Sequence, residues 1–297
     1  MSRFVELNAG SGALVSGLDL DQPISTDMAQ ELRRALDRYK LLLFRQGPIS
    51  GDQQVALMRS FGNVISEAPN GELVSYISSS ADAYVRGTNR LRFHSDIQCA
   101  PSGPIQTVSL YALEMERDEP TYFADMVKAA RDVPPELRSR IAGLDVVQAL
   151  NLSAQYDESK RVRMSERPDD VPLTQYPHCN QPVLGTHRLT GEEMINVSEL
   201  SSSHVVGLSD DDSDVIFDAL SRYQYSGANI YAHRWQVDDL VVWDNIALQH
   251  ARNEIAAPTG RCLRRVAVNP IGLAEMLAGA TSSPAAGRSA IAGATTV

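Results

Sequence analysis

Of the six histidines in the chain, His94 alone is followed two residues later by an acid, in Arg92-Phe93-His94-Ser95-Asp96. A second histidine, His250, lies far downstream behind Asp239-Leu240-Val241-Val242-Trp243-Asp244, and Arg261 comes eleven residues after it. In an extended segment, residues i and i+2 point to the same side. His94 and Asp96 can therefore reach one ion together if Ser95 points away. A third ligand must then come from a distant strand, which favours a sheet fold uniting remote parts of the chain. Two imidazoles and one carboxylate fill one face of an octahedron and leave the other open. That donor set suits non-haem Fe(II), and zinc is the competing metal because it accepts the same ligand types.

The rest of the pattern fits a mainly β chain with flanking helices. Residues 26–39 read as a helix, with Ser25 or Thr26 as cap and Met28, Leu32, Ala35, Leu36 and Tyr39 at helical spacing. Lys40 to Phe44 reads as a buried strand. Ser50-Gly51-Asp52-Gln53 has the form of a capping box for a helix ending near Phe61, with Gly62 as its stop. Strands are expected at 72–78 and 105–113, and a strand end at His94, since Pro101, Gly103 and Pro104 follow closely. Short helices are expected near 125–132 and 135–142. Residues 146–205 read as polar loop, hairpin and short strands, including Met194 to Val197. Asp210 to Asp214 put carboxylates at the start of a helix whose apolar face is Ile216, Ala219, Leu220 and Tyr223. Strands follow at 229–236, 239–244 and 263–269. Short strands broken by helices suggest a β-sandwich or jelly-roll core in a single domain, residues 1–276. From 277 to 297 the chain is rich in Ala, Gly, Ser and Thr and lacks apolar mass, so it reads as a mobile tail.

Charge narrows the partners. A formal net charge of -10 disfavours nucleic acid and anionic membrane surfaces, because phosphates want a basic face. Three cysteines without C-x-x-C spacing fit a reducing compartment better than a disulfide framework. With no apolar leader and no run long enough to span a bilayer, the chain reads as cytoplasmic. His178, His187 and His204 read as loop residues, and His233 as a strand surface residue. Alternation from residue 261 places Arg261, Leu263 and Arg265 on one face and Arg264 on the other. An arginine facing into a barrel is costly unless it meets an anion, and a dicarboxylate co-substrate would supply one.

Taken together, these pieces resemble the taurine/alkylsulfonate and aryloxyalkanoate dioxygenase (TauD/TfdA) family of Fe(II)/2-oxoglutarate oxygenases. The likeness runs from about residue 4 to 270. It rests on Gly17-Leu18-Asp19-Leu20, on Leu41-Leu42-Leu43-Phe44-Arg45-Gln46 before Phe61-Gly62, and on His94-x-Asp96. Trp235, Asp239 to Asn245, His250 and Arg261 complete it. The resemblance implies a double-stranded β-helix, which is a jelly-roll, cupin-like core. It implies iron on His94, Asp96 and His250, with 2-oxoglutarate and O2 as co-substrates. Arg261 would clamp the distal carboxylate of 2-oxoglutarate, Thr121 would hydrogen-bond it, and Arg265 would meet the anionic group of a small-molecule substrate. The outcome would be hydroxylation or desaturation of an unactivated C–H, with succinate and CO2 released. Asp96 argues against halogenation, which leaves that ligand place open for the halide. A homo-oligomer is also implied.

Two departures from the family pattern stand out. Phe93 precedes the His-x-Asp where Trp is common, and Asp238-Asp239 stands where Gly-Asp is usual. The segments Tyr231 to Trp235 and Cys262 to Arg265 also resemble relatives acting on amino-acid-derived metabolites, isonitrile pathways included. Two rival readings remain: a metal-dependent hydrolase with no use for Arg261, and a non-catalytic barrel.

Overall fold

Leu41–Phe44 is buried at all four positions, which requires cover on both faces of its sheet. Leu42 and Phe44 pack with Leu32 and Leu36 of one helix and Val55 and Met58 of another. Leu41 and Leu43 point the opposite way, into a core shared with Phe123 and Leu248 of a second sheet. Alternation along one strand thus defines three layers. The computed structural model describes residues 3–7, 12–68, 70–78, 89–153, 157–255 and 260–281.

The larger sheet has eight strands. In spatial order they are Phe4–Glu6, Ala13–Val15, Leu41–Phe44, Leu240–Asp244, Thr107–Met115 and Arg261–Val268, with Val64–Ile65 and Ser75–Ser78 both pairing on the last. The smaller sheet has four strands, ordered Ile230–His233, Thr121–Asp125, Leu248–Arg252 and Leu91–His94. On its outer side, Phe93, Ala124 and Ala251 pack against helices Met126–Asp132 and Asp210–Gln224. Its inner side faces the larger sheet.

Local rules place most helix boundaries. Thr26–Tyr39 begins at Ser25, whose hydroxyl accepts from the Met28 N–H, and ends at Lys40 in a left-handed conformation. Gly51–Met58 starts with the expected capping box between Ser50 and Gln53. Asp238 takes φ 70°, the turn that a glycine would ordinarily make. Residues 145–205 form a three-stranded sheet (His178–Pro182, Asp145–Ala149, Ser202–Val205) and the hairpin Leu184–Thr186/Glu193–Ile195. Leu273–Ala278 is a helix running into a turn at Gly279–Thr281, with Met276 and Ala280 buried. The first residues of the expected tail therefore pack on the body, and 282–297 lie outside the described residues. Among the described residues no helix is long and apolar enough to cross a membrane.

Candidate metal centre and co-substrate pocket

The register of the smaller sheet assembles the centre. His250 pairs directly with His94 on one side and with Phe123 on the other. Cross-strand neighbours lie within side-chain reach, so the two imidazoles meet, with ring centroids 4.3 Å apart. The strand ends at His94, and Asp96 arrives through the following turn rather than as the next inward position of a strand. Ser95 does point away, its hydroxyl directed to the Leu248 carbonyl at 3.5 Å. Asp96 Oδ1 lies 3.5 Å from His94 Nε2, and Oδ2 lies 3.8 Å from His250 Nε2.

One donor atom from each of the three residues lies within 4.8 Å of the others, the only such cluster among the described residues. Bonds of about 2.1 Å at right angles would bring the donors to about 3 Å from one another, so a small contraction suffices. His94 Nδ1 faces the Arg92 carbonyl at 2.8 Å, which makes it the protonated nitrogen and leaves the Nε2 lone pair for a metal. Burial and the adjacent His94 push the His250 imidazolium down to about 3, so this ring is neutral, as a ligand must be. Burial opposes ionisation of Asp96, but the guanidinium of Arg265, the largest of the opposing influences, holds the carboxyl well below its ordinary range.

Asn245 holds the turn in place, a role that sequence reasoning did not assign. Its Oδ1 accepts from the Asp96 N–H at 3.2 Å, and its Nδ2 donates to the Ile105 carbonyl at 2.9 Å. The signal was present in the Asp244-Asn245 pair that ends an apolar strand.

A cavity of about 200 Å³ opens from the ligands and also receives Thr121, Arg252, Arg261 and Arg265. Arg261, 5% exposed, has no hydrogen-bond partner for Nε among the described residues, and Glu119 Oε2 lies 3.7 Å from that nitrogen. Burial, and then the neighbouring guanidinium of Arg252, lower its pKa to about 10. Thr121 accepts from Trp235 Nε1 at 2.9 Å, which leaves its own hydroxyl proton to donate elsewhere. One buried cation short of partners and one free hydroxyl donor form a site for a carboxylate.

Arg265 differs from the expectation. It lines the cavity, but it donates from Nε and Nη2 to Glu67 at 2.7 and 2.9 Å and from Nη1 to Asp96 at 3.0 Å. Burial alone would lower its pKa, yet Asp96 and Glu67 together raise it. The counter-charge expected for a substrate anion is therefore taken up by two carboxylates of the protein. Arg264 points to the other face, as alternation required. The alternation survives an extra residue, Leu113, in the partner strand between Ala112 and Glu114.

The remaining histidines are buried or half-buried strand and turn residues outside the cavity, rather than surface groups. His187 is bonded to Asp244 at 2.9 Å, and His233 lies 3.2 Å from Asp239.

A His, Asp, His cluster able to hold a metal, with a buried arginine in the same cavity, is the arrangement of the non-haem Fe(II), 2-oxoglutarate-dependent dioxygenases. Residues 5–267 match the model of the taurine catabolism dioxygenase TauD, TfdA family, and the chain belongs to that family. It is 27% identical to an alpha-ketoglutarate-dependent 2,4-dichlorophenoxyacetate dioxygenase of Cupriavidus pinatubonensis, over 84% of this chain and 92% of that protein. It is 26% identical to pentalenolactone F synthase of Streptomyces arenae, over 86% and 91% of the two chains. The crystal structure of AAD-2 in complex with Mn(II) and N-oxalylglycine superposes with a TM-score of 0.74 at 24% identity, covering 89% of this chain and 96% of that one.

Proposed function

We propose that the protein oxidises an unactivated C–H bond of a small molecule bearing an acidic group, by hydroxylation or desaturation, with release of succinate and CO2. In this reading the two facing sheets are the halves of a double-stranded β-helix, and residues 1–276 are one catalytic domain. His94, Asp96 and His250 hold Fe(II), and Arg261 with Thr121 anchors the distal carboxylate of 2-oxoglutarate. The observation that carries it is Arg261, a buried guanidinium with an unpartnered Nε in the same cavity as the three ligands.

Bound there, the iron would supply the O2 chemistry that couples decarboxylation of 2-oxoglutarate to C–H oxidation. The protein supplies position. His94 is oriented by the Arg92 carbonyl, Asp96 by Asn245 and Arg265, and His250 by its place between two strands. The apolar walls, among them Leu110 and Leu263, keep water from the reacting carbon.

The related enzymes named above act on an aryloxyacetate in one case and take part in making pentalenolactone F in another, which supports a small-molecule substrate. Solution in the cytoplasm and a homo-oligomeric state belong to the same proposal.

The test is anaerobic titration of the Fe(II) protein with 2-oxoglutarate, followed by visible charge-transfer absorption. A band that is lost in His94→Ala and that needs far more 2-oxoglutarate in Arg261→Ala is expected. No band in folded, iron-loaded protein would reject this reading and favour a metal-dependent hydrolase.

A further inference from the structure

Once the metal ligands and the co-substrate anchor are assigned, two charged side chains in the cavity have no task. Arg252 stands two residues beyond His250 on the same strand and so faces inward with it, opposite Thr121 on one side and Leu91 on the other. It is 9% exposed, and its Nη1 has no hydrogen-bond partner among the described residues. Glu158 comes from the loop that follows residues 154–156 and lines the same cavity. Its backbone carbonyl accepts from the Arg92 N–H, while its carboxylate makes no hydrogen bond or ion pair with the described residues. Both line the one cavity, yet no ion pair joins them. The same cavity also has apolar walls, formed by Ile77, Leu91, Leu110 and Leu263.

Every other charge in the cavity has a counterpart. Arg265 is engaged by Glu67 and Asp96. Under the proposed function, Arg261 takes the distal carboxylate of 2-oxoglutarate, and Fe(II) balances the other carboxylate together with Asp96. What remains for the substrate is one buried cation and one separate, half-buried anion, in a cavity that also has apolar walls. A purely anionic substrate would answer Arg252 and leave Glu158 repelling it. A purely cationic one would do the reverse. The buried Arg252 lacks a partner at Nη1, and the half-buried Glu158 would lose water as the cavity fills, so the complement of this pair is a molecule carrying both charges.

We propose that Arg252 and Glu158 form the specificity subsite for a zwitterionic, amino-acid-like substrate, with Arg252 receiving its carboxylate and Glu158 its ammonium. The aliphatic part lies against the apolar walls. This inference rests on the oxygenase reading above, and its test separates the two.

The full-length Fe(II)·2-oxoglutarate protein is titrated anaerobically with matched probes. L-leucine is compared with 4-methylpentanoate, which lacks the amine, and with 3-methylbutylamine, which lacks the acid. The corresponding triplets built on L-norvaline, L-phenylalanine and β-alanine follow. Binding is read by the shift of the charge-transfer band and by equilibrium dialysis, neither of which needs turnover. At least one zwitterion is expected to bind roughly tenfold or more tighter than both of its partial analogues. Arg252→Gln should erase its advantage over the amine, and Glu158→Gln its advantage over the acid.

Three outcomes overturn the proposal while the band itself is intact: no zwitterion binds, the acid binds as tightly as the zwitterion, or Arg252→Gln raises only the 2-oxoglutarate requirement. The last would make Arg252 a second co-substrate clamp. Absence of the band in the folded, iron-loaded parent protein would reject the oxygenase reading, and this inference with it.

Discussion

Arg261 and Arg264 lie three residues apart on one strand, are equally buried, and face opposite ways. Arg264 donates from Nε to Gln54 at 2.7 Å and from Nη2 to the Ile49 and Ser50 carbonyls, and its guanidinium sits 4.5 Å over the Tyr111 ring. Among the described residues, Arg261 has a long contact with Glu119 and no hydrogen-bond partner for Nε. The two side chains have the same chemistry, and only the supply of partners differs. A buried cation that the fold satisfies ties elements together, and one left unsatisfied is waiting for an anion. The histidines divide in the same way. His187 uses both ring nitrogens, on Asp244 and on the N–H groups of Leu189 and Thr190, whereas His250 has no partner for Nδ1 among the described residues and directs Nε2 toward Asp96.

This contrast can be broken by substitution. The largest effect is expected from His94→Ala, which should reduce 2-oxoglutarate-dependent succinate formation to that of metal-free protein. Retained activity with a normal iron content would remove His94 from the ligand set. Next, Arg261→Ala should raise the 2-oxoglutarate concentration for half-saturation roughly 100-fold. Its urea midpoint should stay the same or rise, because a buried charge without partners is gone. A fall in midpoint with normal co-substrate affinity would make Arg261 a structural residue like its neighbour.

Arg264→Ala should do the opposite, costing about 3 kcal/mol of stability while leaving the 2-oxoglutarate requirement at the parent value. Urea denaturation followed by co-substrate titration distinguishes the two. His187→Ala should follow the Arg264 pattern at about 2 kcal/mol, since Asp244 loses a buried partner. The smallest effect belongs to the exposed pair Arg234–Asp118, where Arg234→Ala should change stability by no more than about 0.5 kcal/mol. A larger loss there would show that partner supply at the surface matters more than burial.

Much of the fold was legible because local rules decide it. The helix at 26–39 and the capping box at Ser50 are short-range features, and the apolar runs at 41–44 and 239–244 can only be buried strands. Leu248–Arg252 was missed because two of its three inward residues, His250 and Arg252, are polar, so the strand lacks the alternation that hydrophobic patterning detects. The small sheets within 145–205 were hard to read because their strands are short and pair across long separations. For the site, residue types and chain order suggested His94, Asp96, His250 and Arg261, the family resemblance added Thr121, and one cavity contains them all. Arg265 was in the right cavity with the wrong partner: its engagement by Glu67 depends on a turn nearly two hundred residues upstream.

The amino-acid sequence by itself determined what the protein could hold: ligands of the right types, an arginine on an inward face, and enough buried strand to place them. Tertiary structure alone decided which charges are already answered and which are not. Pairing is a matter of a few ångströms between residues remote in the chain, and no pattern within one segment records it. Glu67 closes on Arg265, Gln54 on Arg264, and Arg252 and Glu158 are left facing the same space.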